Sequence, residues 1–297
     1  MTALREEYPH ASVEVLCGLF GKKRQWYYQN KGHEVSEVQR RKLITDHVDY
    51  YRGLLPRVGA LKLHALLTAD LGREIVRGRD SFLRLYREQE FRLPRHKPIH
   101  TTNSNHVYRK YPNLMQDTVA NCVNEIWVAD ITYVWIQGDV LYLHLITDVY
   151  SHAVIGWCLS ETLEADNTVT ALRMAIGEAG GGNLCGTTHH SDRGSQYACY
   201  RYIETLIDHH IRVSMTERYN PTDNPVAERV NGILKTEWIY NQEVFDDYQA
   251  AQAGIGEMIR LYNHVRPHMS IGMMTPMSVY WGEAAGRNLW AKQKEFV

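Results

Sequence analysis

The sequence predicts an α/β fold: a mixed sheet of three antiparallel strands followed by two parallel ones, flanked by helices and preceded by an all-α region of helix-turn-helix type. Three observations predict it. Up to about residue 91, hydrophobic residues recur at helical spacing, punctuated by Gly and Pro. From residue 125 the texture changes to "IWVADITYVWI", "VLYLHLITDVY" and "HAVIGWCLS", runs rich in β-branched and aromatic residues, with "QGD" as a hairpin turn between the first two. Helical and strand patterns then alternate, which puts helices on the faces of a sheet that continues with parallel strands.

The helical region comes first. Ser12 can cap "VEVLCGLF" and Gly21 can end it. A second short helix, "KKRQWYYQN", completes a helix-turn-helix outline, an outline that many helical hairpins share. Ile44, Val48, Tyr51 and Leu55 then recur at helical spacing, with Pro56 as the stop. A further pair follows: "ALKLHALLTADLG", ending at Gly72, and "SFLRLYREQE", with Asp80 or Ser81 as cap. Arg73, Arg77, Arg79, Arg84 and Arg87 gather around this pair. Arginines there can hold phosphates and read guanine edges, or simply form a solvated face. Residues 92–124 are polar and basic with little periodicity, which predicts a linker with an extended arm.

In the second half, "ADNTVTALRMAIGEAGG" predicts a helix with Asp166 or Asn167 near its cap. "TTHHSD" predicts a short strand, "YACYRYIETLIDHH" a helix and "IRVSM" a strand. "PVAERVNGILKTEWIY" predicts another helix, with Asn224 as N-cap and Pro225 as its first residue.

Composition bounds what such a chain does. Its 297 residues suggest about two domains at roughly 100–200 residues each. The five cysteines are scattered without a Cys-x-x-Cys pair, which argues against a zinc ribbon or a disulfide framework and fits a reducing compartment. No signal peptide and no run of 18 apolar residues is visible, so a soluble, cytoplasmic protein with no membrane partner is expected. The net charge of −1 conceals an asymmetry: residues 1–110 carry 21 Lys/Arg against 12 Asp/Glu, and the rest carry 12 against 22. A basic front and an acidic back suggest a polyanion-binding part joined to a part that handles cations; chance unevenness over solvated faces is the plainer alternative.

Three carboxylates stand in suggestive places. Asp130 is in mid-strand among core-forming residues, where an unpaired charge is costly and calls for a partner or a cation. Asp192 ends a strand, the position where open α/β sheets expose functional groups. Glu228 lies early in its helix. At about 100° per residue, Val226, Val230 and Ile233 share an apolar stripe, and Glu228 and Lys235 lie together opposite it. Three carboxylates without a nearby cysteine suit hard cations such as Mg2+ or Mn2+, two of which can assist phosphoryl transfer. Taken singly, each is as readily a turn former, a cap or a solvated charge.

The neighbours are read the same way. Gly194 is expected to permit a tight turn. Arg193 either holds a phosphate or pairs with an acid. His189 and His190 must point to opposite faces of their strand, one near the core and one toward the surface. Ser195 lacks the partners of a nucleophile. Asp139 and Asp148 read as turn residues, and Trp127 and Trp135 as core. Arg266 and His268, in "RPH", either reach DNA or cap a helix end.

Taken together, "WVADITYV", "HHSDRGSQY" and "NPVAERVNGILKTE" resemble the DDE transposases of bacterial insertion sequences, specifically the OrfB-type subunit of the insertion-sequence-3 family, whose core is like that of retroviral integrases and has an RNase H-like fold. Asp192 and Glu228 are separated by 35 residues, the family's spacing, and Lys235 matches its basic position on the glutamate helix. "YNHVRPHMSIGMMTP" resembles the C-terminal signature, and "TTNSNHVYRKYPNL" the segment before the first catalytic strand. The sequence departs at "PTDNPVAE", where many members read tyrosine-aspartate-asparagine-alanine; no metal ligand is lost.

The resemblance implies catalysis and metal binding by Asp130, Asp192 and Glu228. Two Mg2+ ions, replaceable by Mn2+, would support cleavage at DNA ends and strand transfer. It implies double-stranded DNA as partner, both element ends and target. Lys235, Arg193, Asn224, Arg266, Arg73, Arg77, Arg79 and Arg84 are the candidate contacts. It also implies a homo-oligomer on DNA, a nucleoid-associated location, and an upstream DNA-binding subunit, frameshift-fused or separate. The expected segments are a helical DNA-binding region (1–91), a basic arm (92–124), the catalytic core (125–282) and a tail (283–297). A catalytically silent DNA-binding regulator and a metal-dependent nuclease without strand transfer are the rival readings.

Overall fold

The computed structural model describes residues 10–89, 91, 108–115, 118–216, 225–241 and 244–282. The expectations for most of the basic arm, for Asn224 and for the tail therefore lie outside the described residues.

Helices come first. α1 (Val13–Gly18) is capped as expected: Ser12 Oγ accepts from Val15 N at 3.3 Å. The sequence suggested two separate helices after Gly21, but a single helix, α2 (Arg24–Leu54), runs through 31 residues. No proline interrupts it before Pro56, which is the stop that was expected. α3 (Ala60–Val76) passes through Gly72 with a kink (φ 78°, ψ 158°) rather than ending there. α4 (Arg79–Glu88) starts after Gly78, without a side-chain cap from Asp80 or Ser81.

The sheet contains β1 (Ile126–Ile136), β2 (Asp139–Asp148), β3 (Val154–Ser160), β4 (Thr188–Ser191) and β5 (Arg212–Met215) in the order β3-β2-β1-β4-β5. β1 pairs antiparallel with β2, and β2 with β3; β4 and β5 extend the sheet in parallel. The expected mixed topology is therefore present. α5 (Ala165–Glu178) follows β3 and starts after Glu164. The predicted helix after β4 is broken at Cys199 into α6 (Ser195–Ala198) and α7 (Tyr200–Asp208). α8 (Pro225–Glu237) opens on Pro225 and gives way to a 3-10 turn over Ile239–Asn241; α9 (Tyr248–His264) and α10 (Pro276–Tyr280) are the last helices among the described residues.

Both faces of the sheet are covered. One hydrophobic cluster takes in Trp127, Ala129, Ile146 and Ile155 with residues of α5 and α7. Another joins Val134, Leu141 and Leu143 to Val230, Leu234 and Trp238, to Ile255 and Tyr262 of α9, and to Ile44, Leu63 and Phe82 of the N-terminal helices. Polar ties reinforce this meeting of helices and core. Trp238 Nε1 donates to the Leu54 carbonyl at 3.1 Å, and Lys62 approaches Glu237 at 3.6 Å. β1 is the longest strand, and its pairing with β4 ends at Val128. Beyond that point one edge of β1 is unpaired by β4, and α8 packs against the face of β1 that carries Val134. Trp135 lies in this overrun and is 63% exposed, not core as expected; Trp127, level with β4, is fully buried.

Candidate active site

The register of two parallel strands brings the aspartates together. Ile126 pairs with Thr188 and Val128 with His190. Extending that register by two residues sets Asp192 level with Asp130. Neighbouring strands lie about 4.8 Å apart, and residues of like parity share a face. Asp130 has the parity of Val128 and Val134 and so faces α8.

The Asp130 carboxylate is held on both oxygens. Oδ1 accepts from Ile131 N at 2.9 Å, and Oδ2 accepts from Asn231 Nδ2 at 2.6 Å. Part of the residue's surface opens on the cleft, but the carboxylate is ringed by protein. Burial, and then the charge of Asp192, push its pKa up to about 7, against the pull of Asn231, Ile131 and Lys235. Two close carboxylates, one of them unwilling to ionise, form a site that a cation would relieve. The donor set, oxygen only, fits a hard divalent ion.

Asp192 is fixed by the turn that follows it: Gly194 N donates to Asp192 Oδ1 at 2.8 Å. Gly194 stands in the tight turn expected of it, with φ −60°. The requirement is space, since a Cβ there would stand 2.9 Å from Asp192 Oδ1 and 3.1 Å from Gln196 Oε1.

Glu228 lies in the first turn of α8 and is exposed. Three residues on, Asn231 is buried; residues so spaced are neighbours at about 5–6 Å between Cβ atoms. α8 thus carries Glu228 one turn from the point where Asn231 grips Asp130. Among the described residues, no three His, Cys, Asp or Glu side chains converge as a ready metal-holding group. Asp130 and Asp192 are brought together, and Glu228 stands on the adjoining turn. Lys235, half-buried on the same side of α8, is near enough to Asp130 for that charge to oppose the lowering of its pKa by burial.

Asn231 escaped the sequence reading. The apolar stripe was centred on Val226, Val230 and Ile233, but the residues buried on α8 are Ala227, Val230, Asn231 and Leu234. An asparagine at the core-facing spacing from Ala227 and Leu234 was the available signal. Tyr197 was missed as well. Its hydroxyl is buried without a hydrogen-bond partner, and burial together with the charges of Asp130 and Asp192 holds its proton firmly.

Other expectations are corrected by burial. His189 and His190 do face opposite ways, but neither reaches the surface, because both sheet faces are covered. His189 Nε2 pairs with Tyr202 Oη and His190 Nδ1 with Ser214 Oγ, each at 2.8 Å. Arg266 is not an exposed DNA contact. It is 2% exposed, forked onto Glu237 through Nε at 2.7 Å and Nη2 at 2.5 Å, while Nη1 donates to His268 Nε2 at 2.9 Å. Asp139 and Asp148 are turn residues as read: Asp139 Oδ1 accepts from Val140 N, and Asp148 Oδ1 from Ser151 N and Oγ. Arg193 lies half-buried beside Asp192, and Arg73, Arg77, Arg79 and Arg84 are exposed, with Arg77 bound to Glu37 at 2.8 Å and Arg79 to Asp80 at 3.3 Å.

The chain is similar to several known proteins. Residues 120–221 match a family described as "Integrase core domain", and residues 209–276 match a second family of the same description. The "Insertion element IS600 uncharacterized 31 kDa protein" of Shigella sonnei is 34% identical over 267 residues, covering 88% of this chain and 96% of that protein. The transposase for insertion sequence element IS904 of Lactococcus lactis is 28% identical over 195 residues, 60% of this chain and 74% of its own. Among solved structures, the HTLV-2 integrase catalytic core domain in complex with magnesium is 19% identical, with a TM-score of 0.42 over 54% of this chain and 98% of that one.

Proposed function

The chain belongs to the insertion-sequence-3 family of DDE transposases, and on that premise we propose that Asp130, Asp192 and Glu228 carry out metal-dependent DNA cleavage and strand transfer. The observation that carries this reading is the parallel register that sets Asp192 level with Asp130, joined to the Asn231 hydrogen bond that ties Asp130 to the helix bearing Glu228.

The three carboxylates would hold two Mg2+ ions, for which Mn2+ can substitute. Bound there, the cations would activate an attacking oxygen and stabilise the leaving one. The chain's own residues prepare the site. Asn231 and Ile131 fix the Asp130 carboxylate, Gly194 N fixes that of Asp192, and the first turn of α8 presents Glu228 to the open side. Lys235 supplies a positive charge on the same side of α8, suited to a phosphate of the bound strand. A water attacks at the element end and frees a 3′-hydroxyl, which then attacks a target phosphodiester; no covalent link between protein and DNA is required.

The exposed arginines Arg73, Arg77, Arg79 and Arg84, with Arg193 and Asn224, are the DNA contacts of this reading. The segments 1–91, 92–124, 125–282 and 283–297 are its DNA-binding region, arm, core and tail. The protein acts as a homo-oligomer on DNA ends, in the cytoplasm at the nucleoid, with an upstream DNA-binding subunit. Strand transfer with oligonucleotide ends in Mg2+ tests the proposal. Wild type is expected to give joined products and Asp192→Asn none; products that persist in the variant overturn the assignment. Cleaved ends without joining in wild type would instead identify a nuclease, and inert wild type a DNA-binding regulator.

A further inference from the structure

On the side of α8 turned away from Asp130, a small, partly open notch of about 10 Å3, room for about one water, lies between this helix, the β2–β3 turn and the segment after α9. Its polar lining is Arg229, His152, His268 and Ser270, over a floor that includes Val230 and Tyr262. Arg229 is two residues before Asn231, about 200° around the helix, so it cannot share the carboxylate face.

Four observations make the notch receptive to an anion. Arg229 is exposed, and among the described residues no carboxylate pairs with it. Behind the notch, Lys62 and Arg266 share the single acid Glu237, so the local charge is positive. His268 Nε2 takes a hydrogen bond from Arg266 at 2.9 Å; a guanidinium cannot accept, so His268 is neutral with its proton on Nδ1. His152, its ring stacked 6.2 Å from that of His268, has φ 62°. That left-handed conformation is one a glycine would hold without strain, and such outliers gather at functional sites. The Ser270 hydroxyl lines the notch and has no hydrogen-bond partner among the described residues.

We propose that a phosphate of the DNA backbone seats on the mouth of this notch, against the exposed Arg229, as a second anchor across α8 from the carboxylates. The inference rests on DNA being the substrate. A helix is about 10–12 Å across with its side chains, so the anchored phosphate lies about three base-pair steps from the reacting one. It would fix the lateral position of the duplex while Asp130, Asp192 and Glu228 engage the scissile bond.

Binding of a short DNA duplex by the full chain, measured across salt concentrations, tests this. Arg229 is exposed, so Arg229→Gln should fold. The variant is expected to bind more weakly, with the slope of log affinity against log salt reduced by about 0.9, one phosphate contact. The imidazole resonances of His152 and His268 are expected to shift when DNA is added to wild type and to stay in place in the variant. An unchanged slope with unchanged histidine shifts, in a wild type that binds DNA, overturns the notch and leaves the proposed function standing. A wild type that binds no DNA overturns both, and histidine shifts with inorganic phosphate alone would then mark the notch as a free-phosphate site.

Discussion

Replacing Asp130 with Asn should make the metal-free protein more stable at pH 8 while removing its chemistry. Burial and the Asp192 charge raise Asp130 from an ordinary 3.8 to about 7, which corresponds to roughly 4 kcal/mol at about 1.36 kcal/mol per pH unit. Part of the residue opens on the cleft, so about half of that is a sounder figure. Asn offers one acceptor oxygen to the two donors Ile131 N and Asn231 Nδ2, a loss of about 1 kcal/mol. The net gain is about 1 kcal/mol, or roughly 2 °C in Tm for a chain of this size. The sign is set by linkage. Between about pH 4 and pH 7 the folded state holds a proton on Asp130 that the unfolded chain has released. This contribution is full below pH 4 and is lost as pH rises to about 7. Thermal unfolding without divalent ions, at about pH 5 and pH 8, should show the Asn variant's advantage at the higher pH shrinking at the lower. A Tm difference that does not change with pH, or a wild type that is the more stable at pH 8, would refute the reasoning.

Three further outcomes are expected. Asn231→Leu should raise the Mg2+ concentration for half-maximal strand transfer about 10- to 100-fold, read from activity against Mg2+. Its Tm should change little, because Leu also removes the buried, unpartnered Asn231 Oδ1. Gly194→Ala forces the Asp192 carboxylate away from a Cβ at 2.9 Å and should cut the strand-transfer rate on the order of 100-fold, with unfolding shifted by less than about 1 kcal/mol because φ −60° accepts any L-residue. Arg266→Ala leaves Glu237 with only Lys62 in a buried setting and should lose about 3–5 kcal/mol in denaturant unfolding.

The parts of this fold that local pattern determines could be read from the sequence. Alternation and β-branched runs located β1, β2 and β3, and Asp130 was conspicuous as a charge inside an apolar run. Asp192 was readable as a residue at the end of a strand, and it stands just past the last residue of β4. What needed the third dimension was missed. Asn231 looked like a gap in an apolar stripe, because its partner Asp130 is 101 residues away. Arg266 looked like a free cation, because Glu237, 29 residues earlier, is brought to it only by the packing of α8 against α9. Period two correctly sent His189 and His190 to opposite faces, but it could not tell that helices cover both. The merger of two predicted helices into α2 has a similar cause: weak local signals mark a possible start, and tertiary packing decides whether the helix restarts or continues.

The most direct test of the central claim is strand transfer by Glu228→Gln beside wild type, with short DNA ends, a target duplex and Mg2+. Glu228 is exposed at the start of α8, so the variant should keep the wild-type Tm. The account predicts an intact protein that binds DNA and makes no joined product. Joined product at the wild-type rate from Glu228→Gln would contradict it.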